Sequence, residues 1–289
     1  MGLQRTDFRF FHRLRVRWAE VDMQKIVFNA HYLMYFDTAI ADYWRALALP
    51  YQETMDALDG DLYVVKATVE FHASARVDDQ VEVAMKCSRI GTSSMVFTGA
   101  IFRGEEHLIS GEIVYVFADP ATQKSRPVPE VLREILLGFE AGEAVASLKV
   151  GDWADLGADA QTIRQAVFVQ EQQIPKELEW DAADAKAVHA VAYNRMGLVV
   201  ATGRLLPGAQ AGEAKIGRMA VCRVLRGGQL GRQVLAALVG AARARGDQRV
   251  VLHAQRSAEG FYDRLGFVRE GEPYEEAGIP HLTMSLALT

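Results

Sequence analysis

The apolar positions of this chain follow two rhythms in turn. From Phe11 to Trp18 basic and apolar residues alternate, the pattern of a half-exposed strand. After a polar turn, Leu33, Phe36, Ile40, Tyr43 or Trp44, and Leu47 recur at helical spacing. They predict a long helix with one buried face, ending before Pro50. Strands are then expected at Tyr63–Phe71, Val81–Ile90, Ser94–Arg103 and His107–Ala118, punctuated by Gly91, Gly104 and Asp119-Pro120. Alternation is clearest in Val65-Lys66-Ala67-Thr68-Val69 and Val81-Glu82-Val83. One long helix before an antiparallel run is stable only if the sheet wraps the helix.

A turn-rich stretch from Gln123 to Pro129 and a short helix at Val131–Phe139 close this half, and Ala141-Gly142-Glu143-Ala144 reads as a linker. Beyond it Asp159–Gln170 reads as helix, and Ala187–Tyr193, Leu198–Leu205 and Lys215–Cys222 as strands. An Arg/Gly-rich turn leads into a helix from Leu230 to Arg245, apolar at 230, 234, 238 and 241. A strand at Arg249–His253, a helix at Ser257–Leu265 and strands around Phe267 and at His281–Leu288 complete the pattern. The expected organisation is an α+β domain over residues 1–140 and a mixed α/β domain over 146–289, with no internal repeat.

The length of 289 residues suits two domains of ordinary size, and the apolar share of 50% is that of a globular chain. A net charge of −5 gives no electrostatic case for nucleic acid. Basic residues do cluster, at Arg13, Arg15 and Arg17 and at Arg223, Arg226 and Arg232, which suits a small polyanion. Cys87 and Cys222 sit in apolar runs and read as buried, inert thiols, so no disulfide framework is expected. No apolar run approaches the roughly 20 residues of a membrane span. The N-terminus also lacks a signal-peptide core, and the expected compartment is the cytoplasm.

In the first half, Arg17 to Leu33 places Glu20 and Asp22 ahead of a turn and Asn29 at an N-cap position for the long helix. A helix entrance offers free N–H groups and positive potential, which stabilise an oxyanion forming on a thioester. A carboxylate beside it can attack, or deprotonate a water that attacks. Taken alone, Asp22 is also a good turn residue. The segment resembles the signature of 4-hydroxybenzoyl-CoA thioesterase-like hotdog proteins over roughly residues 10–138, including Ala75-Arg76-Val77-Asp78-Asp79 and Arg126-Pro127-Val128-Pro129. The resemblance implies an antiparallel sheet wrapped round a long helix. It makes Asp22 the catalytic carboxylate and Asn29 the source of the polarising backbone N–H, and Tyr32 matches the aromatic of the first helical turn. Asp37 and Asp42 are secondary candidates, from hotdog proteins that carry the carboxylate on the helix. Lys25 stands where the family usually has Gly.

In the second half, Ile216 to Arg232 runs a strand into a glycine-rich turn that opens a helix, an arrangement able to receive a diphosphate on backbone amides. With His253 to Phe267 downstream, it resembles the GNAT acetyltransferases over roughly residues 146–289. Val167 to Gln172, Glu179-Trp180-Asp181 and Gly278-Ile279-Pro280-His281 point to a bacterial subgroup of them. The resemblance implies backbone contacts from Met219 and Val221 to the pantetheine arm. It places Arg226, Gly227, Gly228, Gly231 and Arg232 round the diphosphate, and makes Tyr262 the acid that protonates the departing thiolate. Gln229 replaces the pattern's first glycine. Glu179, Glu276 and His281 are possible acceptor-site residues, and the base is not readable.

Together the resemblances imply a bifunctional enzyme: acyl-CoA hydrolysis in the first half and acetyl transfer from acetyl-CoA to an amine in the second. CoA thioesters would be the substrates, with no metal, no nucleic acid and no membrane, and the hotdog half would drive assembly into a homodimer or homotetramer. The alternative is that one half is a silent acyl-CoA-binding or assembly module attached to an active partner.

Overall fold

The computed structural model describes residues 2–276 and 278–288 and divides into two compact units, Met1–Val145 and Ala146–Thr289. The first comprises strand β1 (Phe10–Arg15), helices α1 (Asn29–Ala46) and α2 (Tyr51–Ala57), strands β2 (Asp61–Phe71), β3 (Gln80–Ile90), β4 (Ser94–Arg103) and β5 (Glu106–Ala118), and helix α3 (Glu130–Ala141). Its strands form one antiparallel five-stranded sheet in the order β1-β3-β4-β5-β2. The sheet curves round α1, the hotdog arrangement expected from the sequence.

That wrap rests on a size match. Gly99 of β4 and Gly111 of β5 are paired in register, and a Cβ on either would meet the Phe36 ring at 2.5 Å. The paired glycines form a hollow that admits the fully buried ring. Tyr43, about two turns further along α1, packs edge-on against Phe97 and Phe139, tying α1 to the sheet and to α3.

Several local expectations are corrected. The first strand ends at Arg15, and Trp18–Glu20 forms a short 3-10 turn. Tyr32 and Tyr35, rather than Leu33, fill the first turns of the buried face, and Leu33 is 41% exposed. The alternation expected at 65–69 is absent because β2 is the sheet's edge. A register shift between Val64 and Lys66 leaves Val64 and Val65 both exposed.

The second unit runs β6 (Ala146–Gly151), α4 (Trp153–Arg164), α5 (Lys176–Glu179), β7 (Val188–Asn194), β8 (Val199–Pro207), β9 (Glu213–Val221), α6 (Leu230–Arg245), β10 (Arg249–Gln255), α7 (Glu259–Asp263), β11 (Val268–Glu276) and β12 (Ile279–Ala287). A π-helical turn prolongs α4 to Glu171. The seven-stranded sheet has the order β11-β12-β10-β9-β8-β7-β6, antiparallel except for the β9–β10 pair. The buried stripe of α6, Leu230, Val234, Leu238 and Ala242, ends one residue away from the expected Ala241. Cys87 is buried and its thiol is pushed up to about 12 by burial and the nearby Glu140. Cys222 is only half-buried, in the turn after β9 rather than inside a strand. Among the described residues, no helix is long and apolar enough to cross a membrane.

Gly99→Ala is expected to destabilise the first unit by about 1–3 kcal/mol, since the added methyl overlaps a ring that cannot retreat. Amide hydrogen exchange of β4 and β5 measures it, and unchanged protection would remove Phe36 and its hollow as the organising contact.

Candidate functional sites

In the first unit, the loop between β1 and α1 is drawn tight by local bonds. The Asp22 amide donates to the Ile26 carbonyl at 2.9 Å, and the Lys25 amide to the Asp22 carbonyl at 2.9 Å. Asp22 Oδ1 accepts the Gln24 amide at 2.8 Å, and among the described residues Oδ2 has no hydrogen-bond partner. The loop closes only with Lys25 left-handed, at φ 62°, where a glycine would sit without strain. Met23, at its tip, is 100% exposed.

The helix entrance differs from expectation. Phe28 is the N-cap and Asn29 is already helical, so the Asn29 side chain makes no capping bond. Its backbone amide nevertheless lies in the unpaired first turn and has no partner among the described residues. Beneath the loop sits a carboxylate whose role the sequence did not reveal. Glu20 is 3% exposed and accepts the Tyr35 hydroxyl at 2.6 Å, the Arg17 amide at 2.8 Å and Arg17 Nε at 2.6 Å. Burial alone would raise its pKa, but the bonds from Tyr35 and Arg17 outweigh it and hold the carboxyl below its usual range. The Tyr35 phenol moves up, through burial and then Glu20. Glu20 is thus a clamp that is charged at neutral pH, and its carbonyl takes the Phe28 amide at 2.9 Å, joining loop to helix.

Tyr32 caps the opposite side. Its hydroxyl accepts the Ala75 amide at 3.0 Å, and the Ala75 carbonyl takes the Val27 amide at 2.9 Å. Burial raises its pKa, and Asp22 is close enough to add to the shift. Asp37 is exposed, and Asp42 is held by His12 at 2.5 Å and by Arg45. Of the carboxylate candidates, Asp22 is the one in the loop leading to the α1 entrance. Phe28 and Leu33, at that entrance, are exposed, and so is Trp18, 83% exposed in the 3-10 turn before the loop.

In the second unit, β9 and β10 pair only from Glu213–Ile216 to Arg249–Leu252 and then part. Beyond that point β9 bulges: Thr202 faces Ala220 while Arg204 faces Gly217, and the extra residue is accommodated with Arg218 left-handed at φ 52°. Gly203 opposite leaves room for the Met219 sulfur. Past Val221 the chain makes a short 3-10 turn, reverses through Gly227 at φ 84°, and enters the 16-residue α6. Among the described residues, the consecutive amides from Gly227 to Arg232 have no hydrogen-bond partner. Gln229, the N-cap, has φ −90° and ψ −11°, so its side chain adds no backbone strain. Gly231 brings the helix within 3.4 Å of Val221 and 3.5 Å of Phe261, measured from the Cβ it lacks. Arg232 is exposed, whereas Arg226 forks onto Glu171 at 2.6 and 2.6 Å and depresses the Glu171 carboxyl.

A cavity of about 490 Å³ opens beside the parted strands and is lined by Met219, Arg218, Glu179, Tyr262, Glu276 and His281 among others. Tyr262 is 7% exposed, set between Phe261 and Phe267, and burial pushes its phenol up to about 12. It therefore keeps its proton at neutral pH. The cavity floor is a buried ion network that sequence reading missed. Arg164 bonds Glu179 at 2.5 Å and Asp184 at 2.8 Å; Arg204 bonds Asp181 at 2.7 Å and Asp184 at 2.8 Å; Arg218 reaches Glu179 at 3.2 Å. Arg164 also lies over the Trp180 ring at 4.7 Å. Burial raises the Glu179 pKa despite these cations, and it lowers that of His189, which meets the Asp184 carbonyl at 3.0 Å. Glu179 is thereby occupied as a structural acceptor and fixes the bulged Arg218. Among the described residues no group of His, Cys, Asp or Glu is placed to hold a metal ion.

Comparison with known proteins divides along the same line. The thioesterase superfamily model matches residues 24–110, and the acetyltransferase (GNAT) domain model matches residues 154–288. The acyl-CoA thioester hydrolase YbgC of Escherichia coli is 30% identical over 118 residues, 40% of this chain and 87% of that protein. The uncharacterized N-acetyltransferase YjcF of Bacillus subtilis is 35% identical over 127 residues, 44% of this chain and 89% of that protein. The crystal structure of Escherichia coli ElaA aligns with 48% of this chain and 98% of its own at 28% identity and a TM-score of 0.44.

Arg164→Ala is expected to destabilise the second unit by about 3–5 kcal/mol, because Glu179 and Asp184 stay buried without their shared cation. Denaturant unfolding followed at β7 and β8 amides checks this; a loss under about 1 kcal/mol would show the network to be dispensable.

Proposed function

Since the chain belongs to the thioesterase superfamily through its N-terminal unit and to the GNAT acetyltransferases through its C-terminal unit, we propose that it is a bifunctional enzyme of CoA thioesters. The first unit hydrolyses an acyl-CoA, and the second acetylates an amine. The observation that carries the second assignment is the run of unpartnered amides from Gly227 to Arg232 at the head of a long helix, beside the parted strands and the Tyr262 cavity. Those amides would receive the diphosphate of CoA. Met219 and Val221, on the stretch of β9 that β10 no longer covers, would hydrogen-bond the pantetheine arm through their backbone. Arg226 would serve the diphosphate only by leaving Glu171, which makes Arg232 the readier cation. The acceptor amine attacks the acetyl carbon directly, and Tyr262 protonates the sulfur as the C–S bond breaks.

In the first unit, Asp22 would activate a water against the thioester carbonyl, whose oxygen is polarised by the Asn29 amide. Asp22 Oδ1 is fixed by Gln24 while Oδ2 stays available, which suits a positioned base. The exposed apolar edge of β2, with Val64, Val65 and Phe71, and the exposed Phe28 and Leu33 would be covered by a second copy pairing edge to edge in a homodimer. A homotetramer would follow from pairing of such dimers.

A free-thiol assay over a panel of acyl-CoAs, run with and without amines, separates the two reactions. Asp22→Asn is expected to lower amine-independent release by about a hundredfold or more while leaving amine-dependent release intact. Unchanged hydrolysis would remove Asp22 from the chemistry. Tyr262→Phe is expected to slow amine-dependent release by about a hundredfold with acetyl-CoA affinity preserved. An equal rate would pass the acid role to water.

A further inference from the structure

Acetyl transfer to an amine needs a base as well as an acid. An amine reaches the site largely as an ammonium ion, which cannot attack until it loses a proton. Tyr262 is a proton donor and Glu179 is consumed by Arg164 and Arg218, so neither meets the need.

Resting on the acetyl-transfer reading, we propose that His253 is the general base of the acetyltransferase unit and that Tyr274 positions it. His253 is the first residue of β10 past Leu252, the last to pair with β9, so it stands where the strands part and the cavity opens. It lines the same cavity as Tyr262 and Met219. Its Nδ1 is hydrogen-bonded to the Tyr274 hydroxyl, which also meets Thr283, the residue paired with His253 across β10 and β12. Among the described residues Nε2 has no partner. With Nδ1–H donating to the tyrosine oxygen, the Nε2 lone pair is the free basic site.

The charged groups facing the ring come from each neighbouring strand. Lys215 lies on β9, Glu276 on β11 and His281 on β12. Partial burial, then Lys215 and His281, lower the His253 pKa against the opposing pull of Glu276, so the ring is predominantly neutral at pH 7 and able to accept a proton. His281 is one strand further from the parting, with Nδ1 held by the Ile279 carbonyl at 2.8 Å.

His253 Nε2 takes one proton from the ammonium and passes it to solvent. The neutral nitrogen forms the C–N bond to the acetyl carbon, and collapse breaks the C–S bond. The sulfur takes the Tyr262 proton, and the second proton shed by nitrogen returns to the tyrosine through solvent. One proton is released per turnover.

The full-length chain is assayed with acetyl-CoA and a panel of benzylamine, glycinamide and p-anisidine, with acetyl-CoA affinity measured in parallel by calorimetry. Wild-type kcat with benzylamine is expected to fall as pH drops through an inflection below 6.5, the ordinary histidine value. His253→Gln should lose about a hundredfold or more and abolish that inflection while binding acetyl-CoA normally. The loss should be much smaller with p-anisidine, which is already neutral. Tyr274→Phe should reduce kcat and move the inflection with KM for acetyl-CoA unchanged. A His253→Gln variant that keeps the rate and the inflection overturns the proposal, as does loss of the inflection in His281→Gln instead, or equal losses with both amines. If the wild type binds acetyl-CoA but acetylates no amine in the panel, the acetyl-transfer reading falls and takes the role of His253 with it.

Discussion

The amides from Gly227 to Arg232 point into no protein acceptor among the described residues, and most of the second unit can be understood as keeping them so. Unpaired N–H groups at a helix head are tolerable at a surface and become an anion site when the loop before them holds its shape. Gly227 supplies the reversal and Gly231 lets the helix settle against Val221. The bulge at Arg218 swings the end of β9 away from β10, and the ion network of Arg164, Glu179, Asp184 and Arg204 holds that bulge from below. The network thus stands behind the cavity as support. Its charges are already spent on one another.

The first unit uses the same exposed helix mouth with different support. The Phe36 ring, seated on Gly99 and Gly111, fixes α1 in the curved sheet. Glu20 and Tyr35 then bind the loop to the helix entrance, so Asp22 is presented by a loop anchored on both sides. Lys25 is the one residue at odds with this geometry. It holds a left-handed conformation that disfavours a side chain by about 1–2 kcal/mol. The anchoring bonds of Asp22 and Ile26 are what keep it there.

Much of the fold was legible where a single local rule operates. The strand Ser94–Arg103 and the helix Leu230–Arg245 coincide with their observed bounds because periodicity and flanking glycines agree. Reading failed where tertiary context decides. Helix α2 and strand β6 are short, and Tyr51–Ala57 and Ala146–Gly151 carry no strong period. Leu33 fits the helical stripe yet faces outward, since an apolar helix mouth and an apolar core look alike in sequence. Asn29 is a good N-cap residue, but the chain enters the helix one residue earlier because Glu20 already holds the Phe28 amide. The glycine-rich turn stands out by its place between strand and helix, and Tyr262 through the resemblance to the GNAT acetyltransferases. The Glu20 clamp, the buried ion network and His253 do not, because Tyr35, Asp184 and Tyr274 lie 15, 20 and 21 residues from the groups they hold and meet them only in the folded chain.

The most direct measurement is amide hydrogen exchange at Gly227–Arg232 in the intact chain with CoA, and again with pantetheine, which carries the same thiol arm without the diphosphate. Protection of these amides by CoA and not by pantetheine is the expected result. Exchange at those amides unchanged by saturating CoA would contradict the anion site, and with it the reading of the second unit.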